Sequence, residues 1–170
     1  DGMVSFRREK YVPRGGPSGG DGGKGGSVIV VANPDLNTLV NFRRHRHFTA
    51  NKGENGGAKE MFGKNAEDVI VEVPLGTMIY DNKTGELLAD MTQEGQRAVI
   101  VKGGHGGRGN SQFETSAVRA HKNKKKGEPG EQKEIRLELK ILADVGLLGF
   151  PSVGKSSFLR KVSAAKPEVA

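Results

Sequence analysis

Apolar residues in this chain come in short blocks rather than in helical stripes. Val28-Ile29-Val30-Val31, Val69-Ile70-Val71-Glu72-Val73, Thr77-Met78-Ile79-Tyr80 and Arg97-Ala98-Val99-Ile100-Val101 are rich in β-branched residues and bounded by turn formers. Each predicts a strand. Lys133-Glu134-Ile135-Arg136-Leu137-Glu138-Leu139-Lys140-Ile141 alternates apolar with charged, which predicts a strand with one buried and one wet face. Asp81-Asn82-Lys83-Thr84-Gly85 predicts a hairpin loop joining two of these blocks. No stretch before residue 142 has a convincing helical period. Val, Ile, Leu and Phe make up about 24% of the chain, above the ~20% below which disorder is expected. Residues 1–141 therefore read as a small, mainly β domain with a modest core.

Between the strands glycine takes over, with 26 of 170 residues, about twice the usual ~7%. The glycines are spaced. They fall at 16, 19, 22 and 25, again at 20, 23 and 26, and later at 103, 106 and 109. Shorter echoes occur at Gly53 and Gly56, and at Gly127 and Gly130 around Pro129. Three residues is the turn of a polyproline-II helix, which has no internal hydrogen bonds. Glycine at every third position lets one such segment lie against another, so that backbone groups pair across the contact. A compact bundle of short polyproline-II segments is one reading and flexible linkers are the other; linkers need no fixed period.

Net charge is +7 with a pI near 9.7, so RNA, DNA and anionic membranes are the partners to consider. Two Tyr, seven Phe and no Trp favour recognition through phosphate and shape over base stacking. The cations cluster beside glycine tracts: Arg7, Arg8, Lys10 and Arg14 before the first, Lys24 inside it, Arg43, Arg44 and Arg46 before Gly53, and Lys122, Lys124, Lys125 and Lys126 before Gly127. Such recurrence suggests one charged end that contacts RNA phosphates; a solvated surface is the alternative. His45 and His47 fit the basic strip better than a metal set, since no Cys or nearby carboxylate completes one. Cysteine is absent, which excludes disulfides and suits a reducing compartment. No apolar run approaches the ~20 residues of a membrane span.

One motif has a mechanism attached. Gly149-Phe150-Pro151-Ser152-Val153-Gly154-Lys155-Ser156 fits G-x-x-x-x-G-K-[ST] at every fixed position. The apolar run Val145-Gly146-Leu147-Leu148 before it predicts a buried strand, and Ser157 to Val162 after it a helix. Strand–loop–helix is the context a phosphate-binding loop requires. Its glycines turn backbone N–H groups onto phosphate oxygens, and the helix N-terminus adds its dipole. Lys155 would reach the outer phosphates and the Ser156 hydroxyl would ligate Mg²⁺. Only fourteen residues follow Ser156, fewer than a nucleotide-binding domain needs. The expectation is one domain, residues 1–141, plus the truncated opening of another, residues 142–170. Asn82-Lys83-Thr84-Gly85 faintly resembles a guanine-reading motif but lacks its Asp and reads better as a turn.

These features together resemble the Obg family of bacterial and organellar GTPases. The likeness rests on Val4-Ser5-Phe6-Arg7-Arg8-Glu9-Lys10-Tyr11-Val12-Pro13 and on the Gly15–Gly26 tract. It continues through Leu36-Asn37-Thr38-Leu39, Gly106-Gly107-Arg108-Gly109-Asn110, Ala143-Asp144-Val145-Gly146 and the phosphate loop. The resemblance implies an Obg fold, a small β-barrel carrying a glycine-rich bundle of polyproline-II-like helices. The first strand, phosphate loop and helix of an α/β G domain then follow. It also implies GTP hydrolysis with Mg²⁺ in the intact protein, with none expected of these 170 residues alone. Further implications are a monomer in the bacterial cytoplasm, or in an organelle if a transit peptide precedes residue 1. Association with ribosomal RNA of the large subunit during its assembly, and response to guanine nucleotides including the stringent-response alarmone ppGpp, complete them. The family's first strand and first Gly-Gly tract are expected to precede Asp1. GTP over ATP rests on the resemblance alone. An RNA- or protein-binding module, or an ATPase of another phosphate-loop class, is the alternative.

Overall fold

The computed structural model describes residues 1–8, 10–11, 15–113, 124–140 and 155–162. The chain divides into two compact units, Asp1–Lys140 and Ile141–Ala170. The first is mainly β. Its strands are β1 (Val28–Asn33), β2 (Val69–Pro74), β3 (Thr77–Asp81), β4 (Leu87–Met91), β5 (Arg97–Val101) and β6 (Ile135–Leu139). They form two three-stranded sheets, ordered β2-β1-β5 and β4-β3-β6. One core of Val30, Ala32, Val71, Val73, Ile79, Met91 and Ile100 joins them. The alternation expected for β6 is present, with Ile135, Leu137 and Leu139 half-buried and Arg136 and Glu138 exposed.

Three local features depart from the sequence reading. β4 was not anticipated, because Leu87-Leu88-Ala89-Asp90-Met91 contains no β-branched residue; its pairing with β3 and its buried Met91 override weak propensity. The turn at 81–85 therefore joins β3 to β4. Asp81 anchors it, its Oδ1 accepting from the N–H of Lys83 at 2.8 Å and of Thr84 at 3.2 Å. Two short helical elements also occur where none was expected: α1 (Asn41–Arg44) and a 3₁₀ turn at Asn110–Phe113. Neither is long enough to display a periodic stripe. α1 is held by Phe42, which packs on the core and tilts against Phe48, ring centroids 5.9 Å apart.

β1 pairs with β2 in parallel and with β5 antiparallel, and this arrangement continues beyond the sheet. Residues 18–27 lead into β1, 60–68 lead into β2, and 102–110 follow β5. The N–H groups of Glu60, Gly63, Ala66 and Val69 donate to the carbonyls of Ser18, Asp21, Lys24 and Ser27, a parallel run with a step of three. On a second face of segment 18–27, Gly22 and Gly25 donate to Gly107 and Gly104, and Gly19 donates to the Asn110 side chain, an antiparallel run. On the third face Gly20, Gly23 and Gly26 donate to Gly57, Glu54 and Asn51. The period seen in the glycines is thus the period of the hydrogen bonds. An outer run repeats it, with Lys125, Glu128 and Glu131 donating to Arg108, His105 and Lys102. After residues 34–50, which include α1, the β1–β2 crossover continues as two of these segments running out and back, which lets consecutive strands lie parallel without a long helix.

Close approach, not left-handed backbone, explains the glycines here. A Cβ on Gly106 would overlap the Gly22 carbonyl, and one on Gly56 the Gly20 carbonyl. The only positive-φ glycines among the described residues, Gly76, Gly85 and Gly95, sit in or beside the sheets. Asn110 closes the far part of the bundle. Fully buried, its Oδ1 accepts from the N–H of Gly19 at 2.7 Å and of Ser5 at 3.3 Å, and its Nδ2 donates to the Ser5 carbonyl at 2.9 Å.

This packing makes three stability predictions. Gly106→Ala should cost about 3 kcal/mol, because the obstructing atoms are backbone and cannot rotate away. Gly25→Ala should stay within about 1 kcal/mol, since its Cβ would meet nothing nearer than 3.4 Å. Urea unfolding of both variants, monitored by circular dichroism, makes the comparison; equal midpoints would remove steric approach as the reason for the glycines. Asn110→Ala should cost about 2–4 kcal/mol in the same assay, because it strands buried N–H and C=O groups.

Candidate nucleotide loop and basic surfaces

Lys155 and Ser156 open the helix α2 (Lys155–Val162) and are half-buried. The helix begins two residues earlier than the sequence predicted, which puts both side chains in its first turn. No acidic residue stands in that turn, so the positive end of the helix dipole is not neutralised by its own side chains. Gly149, Phe150, Pro151, Ser152, Val153 and Gly154, with the strand expected before them, lie outside the described residues. Among the described residues no three His, Cys, Asp or Glu side chains gather to hold a metal. Ser156 offers one neutral hydroxyl oxygen. That donor fits Mg²⁺ held mainly by nucleotide phosphates and water, as this hard ion usually is.

The basic residues fall at two places. Arg7 and Arg8 are exposed at the far part of the bundle, where the Arg7 N–H donates to the Gly16 carbonyl at 3.0 Å and Phe6 bridges to Pro17. Lys10 is exposed, its ammonium 5.7 Å from the Tyr11 ring centroid. Lys24 projects from the face bearing Ser18 and Asp21, with its own N–H bonded to Asn65. Lys124 and Lys125 are exposed along the outer run, and Lys125 pairs with Glu128 at 3.1 Å. Such an exposed pair contributes little stability. Arg14 and Lys122 lie outside the described residues.

Arg43 and Arg44 are elsewhere. They sit on α1, and Arg43 lines a cleft with Val28 and Val101, where the glycine segments meet the sheet. Val28 lies twelve residues along the chain from Gly16, so the three clusters do not gather at one end. Sequence reasoning also missed Asn110, because a single Asn after a glycine tract carries no signal of burial.

A strand pair extended into a hydrogen-bonded glycine bundle defines a glycine-rich β domain, and Lys155 and Ser156 open a helix in the second unit. The GTP1/OBG family model matches residues 1–141, and the chain belongs to that family. It is similar to the GTPase Obg of Geobacillus thermodenitrificans, 60% identical over all 170 residues, and to that of Geobacillus kaustophilus, 61% identical over the same span. The GTPase Obg of Anoxybacillus flavithermus is 59% identical, again over the whole chain. The chain spans about 40% of the length of these relatives.

Proposed function

We propose that this chain is the glycine-rich domain and nucleotide-loop segment of a GTP-hydrolysing protein that docks on ribosomal RNA of the large subunit during its assembly. The observation that carries the reading is the G-K-S sequence, with Lys155 and Ser156 at the start of α2, in a chain whose family relatives are named GTPases. When bound, Mg²⁺ with GTP would supply charge neutralisation at the transferring phosphate. Ser156 would hold the ion, the amides of residues 149–156 would orient the phosphates, and Lys155 would stabilise charge developing on the outer oxygens. Guanine nucleotides, ppGpp among them, are the proposed ligands and the bacterial cytoplasm the proposed setting. Among the described residues no helix is long and apolar enough to cross a membrane.

The docking part rests on shape and charge. The inter-segment contacts of the bundle are made largely by backbone, so it is narrow, and it bears the exposed cations Arg7, Arg8, Lys10, Lys24, Lys124 and Lys125. A narrow, basic projection suits a groove lined with phosphates. Arg14 and Lys122 are proposed to extend this set, while Arg43 and Arg44 form a separate patch. The 170 residues alone are proposed not to turn over GTP, because a phosphate loop is organised by a complete α/β sheet.

Replacing Lys155 by Ala in the intact protein should lower single-turnover GTP hydrolysis by at least a hundredfold, about 2.7 kcal/mol, while the glycine-rich domain keeps its fold. Unchanged turnover would refute the assignment. Co-sedimentation with large ribosomal subunits across a salt series tests docking. Affinity should fall steeply with salt, and Lys124→Ala with Lys125→Ala should together reduce the log–log slope by about two units. Slopes identical to wild type would return these lysines to solvent.

A further inference from the structure

We propose that Phe62, with the backbone N–H of Asp21, forms a subsite for an unpaired base of RNA. This rests on the bundle being an RNA-docking surface and adds the kind of RNA that the surface selects. Along residues 18–27 every N–H but one donates to an acceptor among the described residues. The exception is Asp21, and the parallel segment 60–68 supplies the reason. The Val69 N–H donates to the Ser27 carbonyl at 2.8 Å, and the side chain before it, Asp68, accepts from the Ser27 N–H at 2.7 Å. One turn along, Ala66 donates to the Lys24 carbonyl at 2.9 Å and Asn65 accepts from the Lys24 N–H at 2.8 Å. A further turn brings the Gly63 N–H to the Asp21 carbonyl at 2.9 Å, and the side chain in the accepting position is Phe62. A phenyl ring has no oxygen to offer.

The open donor therefore stands beside an aromatic side chain that is 65% exposed, and Asp21 itself is only half-buried. The backbone on both sides of Phe62 is fixed. The Met61 carbonyl accepts from the Gly57 N–H at 2.7 Å, and the N–H groups of Glu60 and Gly63 donate to Ser18 and Asp21. The side chain is thus presented from a held main chain, which lowers the cost of ordering it on binding. Lys24, one turn beyond Asp21, and Lys64, two residues beyond Phe62, are exposed, and no ion pair engages either ammonium among the described residues. Of the acids here, Asp21 and Glu54 accept from the N–H groups of Gly109 and Lys64, while Glu60 is exposed. Neither the sheet edges nor the first residues of the chain take part. Asp1 and Gly2 lie on a different face of segment 18–27, against Gly22, with the Asp1 carbonyl accepting from Gly56 and the Gly2 N–H donating to Lys125.

These groups choose the occupant. A base carries a flat π face and, on its edge, carbonyl or ring-nitrogen acceptors, so one rigid group meets both the ring and the donor. A peptide would bring an N–H donor for each of its acceptors, and the Asp21 carbonyl is already engaged by Gly63. Paired bases within a duplex stack on one another and hide their faces, so the base must be unpaired. The scarcity of rings in this chain rules out a continuous stacking platform, but one ring suffices for one base. Lys24 and Lys64 supply charge for the flanking phosphates.

The test is fluorescence anisotropy with two labelled RNA duplexes titrated with the 170-residue chain. One is perfect, and the other carries a single bulged guanosine, whose O6 and N7 are acceptors. The bulged duplex should bind about tenfold more tightly, and in ¹⁵N spectra the Asp21 amide should shift with it alone. Phe62→Ala should remove the preference while leaving the thermal midpoint, the affinity for the perfect duplex and its salt slope unchanged; Phe62→Tyr should keep the preference. Phe62→Asn should also remove it, yet raise the thermal midpoint, because the new amide oxygen completes the series of Asp68 and Asn65. Equal binding of both duplexes by wild type, or a preference that survives Phe62→Ala, would overturn the proposal and leave RNA docking standing. Absence of binding to either duplex would end both. If Phe62→Ala weakened co-sedimentation of the intact protein with large subunits while the bulge preference persisted, the ring would meet a protein instead, and the proposal would fall.

Discussion

Backbone amides buried between extended segments must find partners, and in residues 18–27 they are satisfied by giving each of three successive N–H groups a different neighbour. Gly19, Gly22 and Gly25 face the 102–110 segment, Gly20, Gly23 and Gly26 face residues 51–57, and Lys24 and Ser27 face Asn65 and Asp68. A flat sheet offers a strand two neighbours. A chain that turns once every three residues offers three, so a bundle rather than a ladder results. The condition is close approach, and any side chain in the contact prevents it. That single constraint explains why the glycines are spaced, why they recur in distant parts of the sequence, and why the bundle has no apolar core.

The same constraint fixes how the bundle is anchored. Glycine loses more backbone freedom on folding than any other residue, and backbone bonds alone give modest net stability. The segments that continue from β1, β2 and β5 retain the directions those strands have in the sheet, parallel for one neighbour and antiparallel for the other. The apolar core under the sheet therefore holds register for residues far outside it. Asn110 does the corresponding work in the far part, tying Ser5 and Gly19 to the third segment.

Much of this was legible in the sequence, for identifiable reasons. Strands β1, β2, β3 and β5 announced themselves through Val and Ile, and β6 through strict alternation. The glycine spacing carried the bundle's period, because each glycine is required by a separate contact. β4 was hidden because Leu, Ala and Met favour helices as readily as strands, and only burial of Met91 and pairing with β3 decide the case. α1 was hidden by its length, since four residues show no period and Val40 makes no side-chain cap. The basic clusters were visible as clusters, but chain topology decides where a cluster lands. Arg43 follows β1 and Arg7 reaches Gly16, so equal charge at similar spacing from glycine ends in different places.

Topology also separates what the two parts of this domain can recognise. Along the bundle, backbone contacts leave the outward cations and the exposed Phe62 side chain as the chemically distinctive groups, and cations on a narrow rod select for charge and groove width rather than sequence. Beside the sheets, side chains from both sheets line one cleft, with Val71 and Val73 in its floor and Arg43 and Arg46 at its rim. One core supports both surfaces: strand β1 continues the bundle's central segment, and its Val28 and Val30 line the cleft. A change that loosened the β1–β2 pairing would therefore reach both surfaces, whereas a charge change on either rim would leave the other intact.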